Sequence, residues 1–224
     1  MPRQKRIAKG NLVYHALNRA NGRLRIFKKR GDFEAFEAIL AEGLARFDMR
    51  LCGYCIMGTH WHLVLWPRQD GDLSHFMKWV TVTHSHRWHA AHNTVGIGHL
   101  YQGRYKSFPV QDGLYYQTLM RYVESNPLRA GLVTRSADWP WSSLAIRCGE
   151  EKPLTLADGP IHLPRLWKSQ ADKVADMPLD EIETCIQRGR PFGKDDWMIK
   201  AAKELSLESS LRPRGRPKKE TTAG

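Results

Sequence analysis

A chain of 224 residues with 42% hydrophobic content can fold one well-buried domain of about 150 residues plus an appendage, which excludes a wholly disordered polypeptide. Basic residues outnumber acidic ones 35 to 23, a formal charge of +12, so phosphate contacts with counterion release make nucleic acid the leading partner and an anionic membrane surface a weaker one. No apolar run approaches the roughly 20 residues of a membrane span, and "MPRQKRIAKG" lacks the apolar core of a signal peptide; a cytoplasmic, nucleoid-associated location without a membrane partner is expected.

Residues 1 to 31 carry ten Lys or Arg and no Asp or Glu. Within them "NLVYHALNRA" reads as a first strand followed by a basic turn. Arg19, Arg23, Arg25, Lys28, Lys29 and Arg30 are candidate phosphate contacts there, with a solvated charge run as the plainer reading. From Asp32, taken as an N-cap, "DFEAFEAILAEGLARF" spaces Phe33, Phe36, Ile39, Leu40 and Leu44 as one buried helical face. "MRLCGYCIMGTHWHLVLWP" is too long for one flat strand and is broken by Gly53 and Gly58, so two strands, or one with a bulge or hairpin, are expected. Cys52 and Cys55 form a CxxC, yet strand residues three apart face opposite sides and no second CxxC exists. With Cys148 and Cys185 they read as reduced thiols.

"LSHFMKWVTVTHSHRWHAAH" is a second helical stretch. Its His84 and His86 point about 200° apart on a helix and cannot share a metal ion, whereas His86 with His89, or His89 with His92, could. A basic, partly aromatic helix face is the plainer alternative. After a Gly-rich turn, "LYQGRYKSFPVQ" is strand-like and supplies Arg104 and Lys106 as further DNA-binding candidates. "DGLYYQTLMRYVESNP" is a helix from near Asp112 to Pro127, because the residue before proline is pushed out of the helical region. The order strand, helix, strand pair, helix, strand, helix implies an α+β fold, a small antiparallel sheet packed against two or three helices. Residues 150 to 177 are loop-like, two short helices follow near 178 to 188 and 195 to 207, and "LRPRGRPKKE" ends the chain as a basic, disordered tail.

The chemistry centres on "GTHWHLVLWP". Alternate side chains of a strand share a face, so His60 and His62 project together, roots roughly 6 to 7 Å apart, while Trp61 faces the other side with Met57, Leu63 and Leu65. His15 falls on the same sheet face and reads as a packed histidine. A lone HxH is more often a polar rim or a satisfied buried pair than a metal site. In "RYVESNP", Tyr122 and Asn126 are four apart and share a face if the last turn remains helical.

His60-Trp61-His62 on a strand, a helix ending Tyr122-x-x-x-Asn126-Pro127 some sixty residues later, and then "LRAGLV" and "DWPWSS" together resemble the IS200-like, single-tyrosine HUH transposases, and within them the REP-associated tyrosine transposases, over roughly residues 5 to 147. The resemblance implies a ferredoxin- or RRM-like palm. It implies that His60, His62 and Asn126 hold a divalent ion and that Tyr122 is the nucleophile. Two imidazoles and one amide oxygen leave the ion's charge uncancelled and positions open for water and a phosphate oxygen, which suits Mg²⁺ or Mn²⁺. The activity implied is a DNA strand transferase with single-strand endonuclease activity that cleaves and rejoins REP-type hairpins of single-stranded DNA through a 5′-phosphotyrosine intermediate. A phenol of pKa about 10 needs a nearby positive charge or base, and the sequence does not single out the group. Tyr115 and Tyr116 are rivals without Asn or Gln four residues on.

Asn18 and Arg19 also resemble the family's first-strand ending and could contact DNA. Residues 1–149 are read as the catalytic domain, 150–211 as a helical extension that could contact DNA, and 212–224 as the basic tail. Pro213-Arg214-Gly215-Arg216-Pro217 resembles an AT-hook core, in which Arg214 and Arg216 would enter a minor groove, with a merely basic tail as the alternative. A monomer is favoured over a homodimer. The competing function is a catalytically inactive or domesticated nucleic-acid-binding regulator, and a third is a phosphodiesterase in which water attacks and Tyr122 merely packs.

Overall fold

The computed structural model describes residues 8–212. Its strands are β1 (Val13–Arg19), β2 (Met49–Ile56), β3 (His60–Pro67) and β4 (Lys106–Val110), arranged in the order β2-β3-β1-β4 with every neighbouring pair antiparallel. Helix α1 (Arg30–Arg46) joins β1 to β2, α2 (Asp72–Ala91) joins β3 to β4, and α3 (Leu114–Glu124) follows β4. The α+β architecture expected from the sequence is what the chain adopts. The long apolar stretch from Met49 is a hairpin, and the basic tail with Arg214 and Arg216 lies outside the described residues.

Both faces of the sheet are covered, which is why β1 and β3 lack polar alternation. One face presents Tyr14, Ala16, Trp61, Leu63 and Leu65 to Phe36, Ile39 and Leu40 of α1 and Phe76, Met77 and Val80 of α2. The other presents Val13, Val64 and Phe108 to Leu119, Met120 and Val123 of α3. Trp167, Ala171, Ile182, Cys185 and Phe192 from beyond residue 150 join this second core. They come from α6 (Trp167–Ala171), α7 (Leu179–Arg188) and the segment before α8 (Asp195–Glu204); the shorter α4 (Asn126–Arg129) and α5 (Ser143–Arg147) precede them.

Three local expectations are corrected. Asp32 is not the N-cap of α1: it sits three residues into the helix, where its carboxylate accepts the backbone N–H groups of Lys28 (2.9 Å) and Lys29 (3.1 Å). A register shift between Leu51 and Gly53 bulges β2, so Cys52 and Cys55 both point into the second core rather than to opposite sides. Met57 packs in that second core as well, away from Trp61, with its sulfur 3.7 Å from the Cys55 thiol. All four cysteines are free; burial raises the Cys52 thiol to about 11 and Cys55 higher still, which leaves both as inert core groups.

"DWPWSS" runs along the outer edge of β2. The backbone N–H of Ile56 donates to the Trp141 carbonyl (2.8 Å), the Trp139 indole donates to the Ile56 carbonyl (3.0 Å), and the Tyr54 N–H donates to Ser143 Oγ (3.0 Å). This edge is therefore covered rather than left open for pairing. Below it, the fully buried Glu124 carboxylate at the end of α3 accepts from Ser143 Oγ (2.5 Å), Trp167 Nε1 (2.5 Å) and Arg147 Nε (3.1 Å), tying α3, α5 and α6 together. Glu124→Ala strands these donors and is expected to destabilise the protein by about 3 kcal/mol in chemical denaturation. A loss below about 1 kcal/mol would mean that the cluster does not hold the C-terminal segment.

Candidate active site

β3 sends His60 and His62 to the face that packs against α3, and the cross-strand pairing sets Arg19 opposite His60 and Leu17 opposite His62. The two imidazoles are 5.0 Å apart between centroids. His60 is partly open to solvent and holds Thr59 Oγ1 at its Nδ1 (3.0 Å), leaving Nε2 free for a ligand. His62 is buried: its Nδ1 lies 2.9 Å from His15 Nε2 and its Nε2 lies 3.0 Å from the Asn126 amide nitrogen.

Helix α3 ends at Glu124, but Ser125 (φ −87°, ψ 2°) lets the chain turn directly into α4, whose first residues are Asn126 and Pro127. Pro127 occupies a position where its missing N–H costs nothing. Asn126 therefore stays one turn beyond Tyr122, on the same side. The Tyr122 ring meets the edges of His15 (6.1 Å) and His62 (5.9 Å). The rivals stand elsewhere: Tyr116 is fully buried in the second core, and Tyr115 packs edge-on against Phe192 (5.1 Å).

The sequence reading missed Arg129. Its guanidinium lies 4.2 Å from the Tyr122 ring centroid, and its Nη2 donates to the Tyr122 carbonyl (3.0 Å). Seven residues separate it from Tyr122, so two helical turns bring them to one face; that spacing in "RYVESNPLR" was the available signal. Burial raises the Tyr122 hydroxyl above the ordinary tyrosine range, while Arg129, and after it Arg19, pull in the opposite direction.

Burial, then the Arg19 and Arg129 cations, lowers His60 to about 4, and burial, then His15, His60 and the same arginines, holds His62 well below its ordinary value. Both rings are thus neutral near pH 7, the form that can ligate a metal. The donor set fits a divalent ion: two neutral imidazoles converge with an amide that offers Oδ1 on turning over. The 3.0 Å between His62 Nε2 and that amide is the spacing of neighbouring ligands in an octahedral shell with bonds of about 2.1 Å. Among the described residues no cluster of three or more His, Cys, Asp or Glu could hold a metal, either around His60 and His62 or along α2. His84 is buried against Phe27 and bonded to Tyr101 Oη (2.6 Å), His89 to Thr94 (2.8 Å), and His92 Nε2 lies 3.2 Å from Asp32.

Of the basic candidates, Arg19 and Lys106 lie nearest the site in the sheet, opposite His60 and Leu17 respectively. Arg23, Arg25, Lys28, Lys29 and Arg30 are exposed along the β1–α1 connection, Arg25 beside Gly58 and Arg30 paired with Glu34 (2.6 Å). Arg104 instead lines a cleft of about 1010 Å³ between α2 and the segment leading to β4, shared with Asn18, Lys78, His86 and His99.

The family model for IS200-like transposases matches residues 8–126, more than half of the chain and a span holding His60, His62, Tyr122 and Asn126. The chain belongs to the IS200-like transposase family. The fold of this transposase is similar to that of a REP-associated tyrosine transposase solved bound to a REP hairpin, with TM-score 0.55 and 15% identity over 73% of this chain and 99% of the other. A transposase structure from Deinococcus radiodurans R1 aligns with 55% of this chain and 97% of its own at 19% identity and TM-score 0.40. No curated protein sequence matches the chain.

The buried histidines dictate an acid response. His60 titrates near 4 and His15 and His84 near 3 in the folded protein, against 6.5 when unfolded. The unfolded chain therefore binds more protons throughout that interval, and stability present above pH 6.5 is lost as pH falls toward 4, with a slope of up to about 1.4 kcal/mol per pH unit for each group. Denaturant midpoints measured down this range without added metal should fall steadily; a flat profile would mean that these rings are not held neutral.

Proposed function

We propose that this protein is a REP-type single-strand DNA transposase in which Tyr122 attacks the scissile phosphate. The observation that carries the reading is the convergence of Tyr122, Asn126, His60 and His62 on one sheet face, with the Asn126 amide 3.0 Å from His62 Nε2. In the proposed step the Tyr122 Oη–P bond forms, the P–O3′ bond breaks, the phenolic proton leaves to solvent and the departing 3′-oxygen takes up a proton as a 3′-OH. The covalent 5′-phosphotyrosine keeps the phosphodiester energy, so a later 3′-OH can reverse the step and join DNA without a nucleotide cofactor. Arg129 stands over the Tyr122 ring, where its charge favours the phenolate. A divalent ion, Mg²⁺ or Mn²⁺, held by His60, His62 and Asn126 would supply Lewis-acid stabilisation of the phosphate charge.

The remaining surface supports a nucleic-acid substrate. The cleft beside α2 is lined by Lys78 and Arg104 with His86 and His99 and, among the described residues, by no acidic side chain; Asn18, opposite Trp61, puts it on the α2 face of the sheet, one residue before Arg19, which stands opposite His60. We assign it the strand adjoining the cleaved phosphate. In this reading residues 1–149 perform the chemistry and residues 150–211 brace α3, whereas the tail from 212, including Arg214 and Arg216, adds DNA contacts. The site as described is contained in one chain, which favours a monomer.

The decisive assay incubates the protein with labelled, hairpin-forming single-stranded DNA from beside its own gene, with Mg²⁺ or Mn²⁺, and resolves covalent complexes on denaturing gels. A metal-dependent adduct is expected for the wild type and none for Tyr122→Phe. Cleavage without an adduct would indicate attack by water, and tight binding without cleavage would indicate a regulator. In a separate titration, Lys78→Glu and Arg104→Glu should each weaken single-stranded DNA binding and lower the slope of log K against log salt by about 0.7. An unchanged slope would remove the cleft from the DNA path.

A further inference from the structure

His15 is a buried histidine for which the proposed chemistry has no direct use. It lies on β1 diagonally across from His62, whose paired residue is Leu17, and it is completely buried between Phe108 and the Tyr122 ring. Its ring plane is within 4° of that of His62, with centroids 5.0 Å apart and Nε2 2.9 Å from His62 Nδ1. Nearly parallel rings joined nitrogen to nitrogen at that separation share an in-plane hydrogen bond rather than stacking face to face. The other nitrogen, His15 Nδ1, is buried with no hydrogen-bond partner among the described residues.

The Asn126 amide sets the donor directions along this chain. With its nitrogen, a donor only, turned to His62 Nε2 at 3.0 Å, Nε2 accepts and carries the lone pair. A neutral imidazole has one N–H, which then sits on His62 Nδ1 and donates to His15 Nε2. His15 must in turn carry its own hydrogen on Nδ1, the atom without a partner. An unpaired buried donor costs about 1 to 3 kcal/mol, a cost that a phenylalanine or leucine in the same place would not incur. The lone pair that this chain leaves on His62 Nε2 points to where Asn126 lies.

We propose that His15 is a positioning residue that accepts the Nδ1 hydrogen of His62 and so locks His62 in the tautomer whose Nε2 can bind a divalent ion. The assignment rests on the ion-binding reading of His60, His62 and Asn126. The unpaired nitrogen of His15 is the structural cost of that lock. Partners that fix the second nitrogen of a ligand histidine typically contribute 10- to 100-fold to metal affinity.

The test is long-range proton–nitrogen NMR of ¹⁵N-histidine-labelled protein, first without metal, combined with Mn²⁺ titration followed by the paramagnetic signal of the free ion. In the wild type His62 should be in the Nδ1–H form before any ion is added. His15→Phe leaves the Nδ1 hydrogen of His62 without its acceptor, and should weaken that preference and lower Mn²⁺ affinity about 10- to 100-fold. His15→Gln, whose Oε1 can accept the same hydrogen, should retain most of both. A wild-type His62 carrying its hydrogen on Nε2, or a folded His15→Phe with unaltered tautomer and unaltered Mn²⁺ affinity, would overturn the assignment, and the first outcome needs no variant to fold. Absence of Mn²⁺ binding by a wild-type protein whose His62 is in the Nδ1–H form would instead overturn the ion site and leave the His15 hydrogen bond standing.

Discussion

Six consecutive cross-strand pairs, from Tyr14 opposite Leu65 to Arg19 opposite His60, fix the side of the sheet on which each reactive group stands. Side chains alternate with a period of two, so a slip of one residue would carry His60 and His62 into the layer of α1 and α2 and bring Trp61 out against α3. Such a slip would bury imidazoles among Phe36, Phe76 and Leu40 and leave Trp61 Nε1 without Tyr101 Oη, its acceptor at 2.9 Å. The packing of the Trp61 layer thus enforces the orientation of the histidine layer. Core and site are two faces of one register.

The second constraint is the end of α3. Glu124 is anchored from three directions, Ser125 continues the turn, and Arg129 reaches back to the Tyr122 carbonyl. Tyr122 and Asn126 are consequently held by a buried ionic cluster on one side and by the sheet on the other. For the proposed in-line displacement such positioning by rigid elements would matter, because the orientation of an attacking oxygen determines how much of the barrier is removed in advance. The segment beyond residue 150 contributes through Trp167, whose indole is one of the Glu124 donors.

Within the site, polarity is arranged economically. The histidines are neutral because they are buried and lie near arginines, not because an acid is absent by chance, and the same arginines favour the phenolate of Tyr122. Positive charge near a buried tyrosine and buried imidazoles acts on both: it keeps the rings neutral and counters the desolvation of the Tyr122 phenolate. A carboxylate in the place of either histidine would neutralise part of that field.

The element order and an antiparallel sheet packed against helices were legible from hydrophobic periodicity, and the pairing of His60 with His62 on one face followed from the period of a strand alone. The joining of Tyr122 to Asn126 across a proline was legible as spacing, though only the backbone at Ser125 makes it a continuous turn. Other features required the folded chain. The bulge in β2 puts Cys52 and Cys55 on one side; Gly53 marked a break, but alternation read along the sequence does not say which residue is the inserted one. Asp32 resembles an N-cap by type but serves three residues inside its helix, since capping depends on where the backbone turns. His15 and Arg129 acquire their places by diagonal and two-turn neighbours that belong to different elements or to a helix restart. By itself the sequence determined which residues could act, because chemistry and local period are properties of neighbours along the chain; the tertiary structure alone decided which nitrogen faces which partner, because hydrogen-bond direction arises only when residues 15, 62 and 126 meet in space.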